Sequence, residues 1–223
     1  MDYNKKYRDR QTFQDSKTSL SDIAKDSTKV SFYREKNSHK GISEFKDIKV
    51  LLAKQVNQSF LNEISQLQKL EYLEIETITA EDLTDIGNLS NLRTLKIYGI
   101  RKANNFSFIN KLPNLNVLLI ENTKQISDLG FLSNAHNLSV IGFEESMYTK
   151  QKLDSLQPLS NLQNLEALFM SSVQLKDKNL NYLSSMPNLK YFAPARFAPK
   201  SSFVSLRKAL PLLVCNWCDK YEI

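Results

Sequence analysis

One short pattern recurs along the chain: an apolar residue, two others, an apolar, one other, an apolar. It reads Leu70-Glu-Tyr-Leu73-Glu-Ile75, then Leu92-Arg-Thr-Leu95-Lys-Ile97 and Leu115-Asn-Val-Leu118-Leu-Ile120. Further copies are Leu138-Ser-Val-Ile141-Gly-Phe143, Leu165-Glu-Ala-Leu168-Phe-Met170 and the weaker Leu189-Lys-Tyr-Phe192-Ala-Pro194. Ile48-Lys-Val-Leu51-Leu-Ala53 and Leu210-Pro-Leu-Leu213-Val-Cys215 flank them. The copies start at 48, 70, 92, 115, 138, 165, 189 and 210, at intervals of 21 to 27 residues. A shared lead precedes several of them: Asn88-Leu-Ser-Asn-Leu92, Lys111-Leu-Pro-Asn-Leu115, Asn161-Leu-Gln-Asn-Leu165 and Ser185-Met-Pro-Asn-Leu189.

Positions 4 and 6 of each copy alternate with polar neighbours, the period of a strand with one buried face. The remainder, as in Ile126-Ser-Asp-Leu-Gly-Phe-Leu132, spaces its apolar residues for a short helix or 3₁₀ turn. One such unit cannot bury its own apolar face, so units must stack.

Composition supports a packed array. The 223 residues are 41% hydrophobic, which excludes wholesale disorder, and no apolar run approaches the ~18 residues of a membrane span. The start, MDYNKKYRDRQTFQDSK, lacks the apolar segment of a secretory signal, so a cytoplasmic chain is expected. With 5 Gly and 6 Pro, neither a turn-rich sandwich nor a glycine-rich phosphate-binding fold is expected. Residues 1–50 hold 12 Lys/Arg against 8 Asp/Glu, so most of the net +6 lies there.

The repeat resembles the leucine-rich repeat superfamily, and its period resembles the short internalin-like class. The resemblance implies an α/β solenoid with a parallel concave β-sheet and short helices or 3₁₀ turns on the convex side. The expected organisation is a flexible polar N-terminus over 1–20 and an N-terminal cap over 21–47, with Val30-Ser-Phe32 as a degenerate strand. Repeats follow over 48–215 and a C-terminal cap over 216–223, where Trp217, Tyr221 and Ile223 fold over the last edge. Ser202–Leu210 reads as the last convex helix. Family members carry Asn or Cys at position 9. Here that position holds Ile78, Ile100, Thr123, Ser146, Val173, Phe197 and Cys218, so the usual asparagine ladder is largely missing and the turns need another partner.

In this family positions 3, 5, 7 and 8 face the hollow. Those columns place Tyr72, Tyr98, Val117, Leu119, Phe169 and Tyr191 toward solvent as an apolar and aromatic cluster. An acidic band, Glu74, Glu76, Glu121, Glu144 and Glu145, runs beside it with Lys96. Exposed apolar clusters mark interaction sites, and aromatic anchors dominate interface energies. The longest unit carries an insertion over residues 146–152, adding Met147 and Tyr148 at one rim. Together these residues form the expected partner-binding site.

Enzymatic chemistry finds little material. Cys215-Asn-Trp-Cys218 has the spacing of a zinc or redox pair, but no second pair exists. Phasing makes Cys215 a core residue at position 6 and places Cys218 at position 9. No Walker loop, G-x-G-x-x-G or G-x-S-x-G occurs. The chain is expected to be no enzyme, to need no metal or cofactor, and to stay off membranes. The resemblance implies capture of one protein partner by a chain expected to be monomeric when free, and the acidic band predicts a basic patch on that partner. Within that class the expected role is a neutralising immunity protein for a toxin or effector. The alternatives are a scaffold, or a binder of nucleic acid or another anionic surface through Lys5, Lys6, Arg8 and Arg10.

Overall fold

A computed structural model describes residues 2–9, 11–13, 15–123, 126–144 and 149–221. The chain divides into two compact units, residues 9–116 and residues 1–8 with 117–223.

In the first unit, strands β1 (Lys29–Tyr33), β2 (Val50–Val56), β3 (Tyr72–Ile78) and β4 (Thr94–Ile100) are all parallel. Equal repeat positions pair: Val50 lies opposite Tyr72, and Tyr72 opposite Thr94. Stacking in register puts Leu51, Leu73 and Leu95 in one buried row and Ala53, Ile75 and Ile97 in the next. Each fully buried Leu or Ile contributes roughly 1.5–3 kcal/mol, so the rows are the main source of stability. Return segments across the core include helix α1 (Gln58–Ile64) and the 3₁₀ turns Thr84–Asn88 and Ser107–Lys111. Val30 and Phe32 sit on β1, which pairs with β2 over its whole length. Lys17 adds one bridge to Phe32 on the outer edge of β1.

In the second unit, β5 (Val117–Thr123), β6 (Val140–Glu144), β8 (Ala167–Met170) and β10 (Tyr191–Pro194) repeat the parallel, in-register arrangement. A second small parallel pair, β7 (Gln151–Leu153) and β9 (Val173–Leu175), stands beside it. Gln151 is buried there and donates to the Ile126 carbonyl. Helix α2 (Lys200–Ala209) packs Phe203 and Leu206 into the core, and α3 (Asn216–Tyr221) closes the described chain. Trp217, Tyr221 and Phe203 stack there, with ring centroids 5.8 and 5.9 Å apart. Ile223, read as part of that cap, lies outside the described residues.

The last repeat differs from the sequence reading. Leu210–Cys215 forms no strand. A single bridge joins Val214 to Tyr191, a position 3 residue. The phase is therefore shifted by two, which places Cys215 at position 4 and Cys218 at position 7. Pro211 lacks the amide a ladder needs, and α3 begins directly after Cys215. Both cysteines are buried and reduced. Hydrogen bonds from the Cys218 thiol and from the amides of Cys218 and Trp217 bring the Cys215 pKa down to about 7.

The turns after the strands are solved by backbone conformation. Position 8 is left-handed at Gln55 (φ 58°), Thr77 (φ 59°), Gly99 (φ 76°) and Asn122 (φ 59°). That reversal drops the position 9 residue back into the core, where Ile78, Ile100 and the polar Thr123 are buried. An asparagine ladder does exist, one residue ahead of each repeat. Asn91 Nδ2 donates to the Gln68 carbonyl and Asn114 Nδ2 to that of Ser90, both at 2.8 Å. Asn164 reaches His136 at 2.9 Å and Asn188 reaches Gln163 at 2.8 Å. Each amide thus satisfies a turn carbonyl of the repeat before it.

His39 is fully buried against the Phe60 ring, 5.3 Å between centroids. Its Nε2 meets Ser59 Oγ at 3.0 Å, and Nδ1 has no partner. Burial lowers its pKa, as do the charges of Arg34 and Lys40, while Glu63 acts in the opposite sense.

Three outcomes follow for stability. Asn91→Ala should lower unfolding free energy by about 1 kcal/mol in urea melts, the worth of one hydrogen bond. Gly99→Ala should cost about 1 kcal/mol through backbone strain alone, because its Cβ would meet Thr77 Cα at an ordinary 3.6 Å while φ stays at 76°. An unfolded histidine takes up its proton near pH 6.5, whereas folded His39 resists protonation until lower pH. The unfolded state therefore binds more protons across that window, and stability should fall as pH drops from about 7. Thermal melts should show that slope in the native chain and a flatter one in His39→Gln.

Candidate functional site: the inner face of the sheet

The inner face is the side of each sheet opposite the core. In the second unit its floor is Val117 and Leu119 on β5, Val140 and Gly142 on β6, Ala167 and Phe169 on β8, and Tyr191 and Ala193 on β10. Gly142 makes room for the floor to close. A Cβ there would sit 2.7 Å from Leu119 Cδ2.

This floor does not face solvent as the sequence reading expected. Val117, Leu119 and Phe169 are buried, and the chain's own N-terminal segment covers them. Asn4–Arg8 forms one helical turn, although 1–20 reads as a flexible polar segment. The Tyr3 ring stacks on Tyr191 with centroids 4.9 Å apart and planes 17° apart, and is itself only 8% exposed. Tyr7 stacks behind Tyr3 at 6.2 Å, and Tyr191 rests on Phe169 at 5.3 Å. Asn4 Nδ2 donates to the Tyr191 hydroxyl at 2.9 Å. Arg8 extends its guanidinium over Phe169, 5.7 Å from the centroid, and reaches Glu144 Oε2 at 2.5 Å.

The physical cause is plain. A contiguous apolar floor left in water is unfavourable by roughly 25 cal/mol per Å². Two tyrosines spaced by four residues lie on one side of a helical turn and can cover it. The residues the sequence reading missed as part of this site are therefore Tyr3, Tyr7 and Arg8. Their i, i+4 aromatic spacing inside a charged tail was the available signal.

The acidic band is also not a free stripe. Glu144 is only 5% exposed and, besides Arg8, accepts from the Ser171 hydroxyl and from its amide at 3.2 Å. In the first unit Glu74 is buried, and the Tyr72 hydroxyl donates to it at 2.5 Å. Burial and that hydrogen bond push the Tyr72 pKa upward. Lys96, in register with Glu74 on the next strand, is also buried. Its ammonium donates to the Asp9 carbonyl at 3.1 Å and lies 5.7 Å from the Tyr72 ring centroid. Burying charges is costly unless hydrogen bonds offset it, and the Tyr72 hydroxyl and the Asp9 carbonyl each supply one here. Glu76 lies 3.5 Å from Lys54, and Glu121 and Tyr98 are half-buried. Glu145, Met147 and Tyr148 lie outside the described residues.

The basic N-terminal cluster is likewise partly engaged. Arg8 is ion-paired, and Lys6 lies 4.6 Å from the Tyr7 ring centroid. Among the described residues no group of three or more His, Cys, Asp and Glu is placed to hold a metal ion. No helix among them is long and apolar enough to cross a membrane. What the inner face presents in the second unit is aromatic stacking, a carboxylate paired with a guanidinium, and a hydroxyl that accepts from an amide.

The family profile described as a leucine-rich repeat region matches residues 28–217. Solved structures agree on the fold. A leucine-rich repeat protein of Leptospira interrogans aligns with TM-score 0.62 at 18% identity, over 91% of this chain and 58% of that one. Internalin F of Listeria monocytogenes aligns with TM-score 0.59 at 20% identity, over 78% of this chain and 48% of its own. Internalin C2 of the same species gives 0.59 at 19%, over 79% and 74%. The chain thus spans about half of the internalin F structure. No curated protein sequence matches. Stacked in-register strands, buried position 4 and 6 rows and this profile match agree: the chain belongs to the leucine-rich repeat family.

Proposed function

We propose that this protein is a non-enzymatic binding module that captures one partner protein on the inner face of its sheet. Leucine-rich repeats form a family of protein-interaction modules. The observation that carries the reading is the second unit's floor, where Phe169, Tyr191, Val117 and Leu119 pack together and Arg8 spans from the Phe169 ring to the Glu144 carboxylate. Such a surface suits an aromatic and cationic element, because stacking holds the rings while the carboxylate fixes the charge. A partner with a basic patch fits this chemistry and would be steered in by charge.

Within that class the reading is a cytoplasmic neutralising protein that inhibits a toxin or effector by covering its working surface. The size and single recognition face of the array support a one-to-one complex.

The test is affinity and inhibition together. The full chain should co-purify with one basic protein at equal stoichiometry and reduce that protein's activity in proportion to complex formed. Glu121→Lys and Glu144→Lys should each weaken binding by about tenfold or more in calorimetry. Unchanged affinity in both variants would remove the inner face from the reading.

A further inference from the structure

The segment over the second unit's floor is more specific than a lid. Tyr3 and Tyr7 stack one helical turn apart, Asn4 donates to the Tyr191 hydroxyl, and Arg8 joins Glu144 while lying over Phe169. Each recognition element of the floor has its complement on the segment. By contrast, Lys5 is exposed and Lys6 stands away from the floor over Tyr7. The turn is only five residues long, Asn4–Arg8, with Lys6 N–H donating to the Asp2 carbonyl at 3.0 Å just ahead of it. An isolated turn of this length is unstable in water, so it owes its shape to the floor.

We propose that Tyr3–Arg8 is a built-in self-ligand. The floor is a binding site for a short helical segment with two aromatic rings four residues apart and an arginine following the second. The occupant in function is a segment of that chemistry presented by a partner protein, which displaces the chain's own copy. This rests on the protein-capture reading above and adds to it the identity of the bound element and the event that opens the site. Tethering raises the local concentration of the self-ligand to about millimolar. A partner must therefore outcompete it, and its apparent affinity is reduced by the fraction of sites that are closed.

The experiment uses the full chain and a labelled synthetic peptide of residues 1–9 as probe. In the double variant Tyr3→Ser/Arg8→Glu the peptide should bind, read by fluorescence anisotropy, at least tenfold tighter than to the native chain. Peptides carrying Tyr3→Ser or Arg8→Glu should lose at least tenfold. Equal binding to both proteins, or to neither, overturns the proposal. Should the double variant fail to fold by circular dichroism, hydrogen exchange on the native chain decides. The Lys6 amide should exchange at least a hundredfold faster than the amides of β5 and β6. Equal protection would make the segment a permanent part of the core and overturn the proposal. A native dimer in light scattering that Tyr3→Ser dissociates would show the occupant to be a second copy, and would also overturn it. Failed peptide binding with intact partner capture sinks only the self-ligand. Partner affinity indifferent to Glu121→Lys and Glu144→Lys sinks the inner-face reading itself.

Discussion

A repeat of some 22 residues has one apolar edge and no means of burying it alone, and everything else in this structure answers that constraint. Registered parallel pairing turns single leucines into continuous rows, with Leu73 beside Leu51 and Leu95. Because equal positions stack on equal positions, position 5 forms continuous rows just as position 4 does. The same register that builds the core also aligns Leu119, Gly142, Phe169 and Ala193 in a second row on the opposite face. In the first unit that face carries the buried charges Glu74 and Lys96. In the second it is apolar enough to need a cover of its own.

The turn that ends each strand shows how a missing side chain is replaced. With Ile or Thr at position 9 in place of Asn, the strand ends on a left-handed residue and position 9 is used as core. For Thr77, a branched side chain in that conformation, the arrangement stores strain that the surrounding registered strands hold in place. Carbonyl satisfaction passes to Asn91, Asn114, Asn164 and Asn188 in the turn before the strand, where each amide ties one repeat to the last.

The covered inner face is a packing feature in its own right. An apolar surface left open promotes nonspecific association, and here a short segment held by stacking and an ion pair covers it. The pairing of Arg8 with Glu144 is 36% exposed on the arginine side, so it orients the segment more than it anchors it. The rings do most of the holding. This balance leaves the apolar floor covered by the chain's own segment.

Fold class was legible from the chain alone, because the spacing of Leu70, Leu73 and Ile75 and its recurrence leave little choice but stacked strands. Which side chains line the inner face was legible too, since strand alternation assigns Leu119, Glu144 and Phe169 to one side. The phase of the last copy was not. A proline and an immediate helix reduce it to one bridge, and residue spacing carries no account of where pairing stops. Nor was the state of the inner face legible. Exposure depends on what lies over a surface, and Tyr3 is 188 residues from its stacking partner Tyr191. Local periodicity determined the strands, the rows and the faces. Only the tertiary structure decided that one of those faces is covered, because a contact across the length of the chain is set by free energy of burial and not by sequence neighbours.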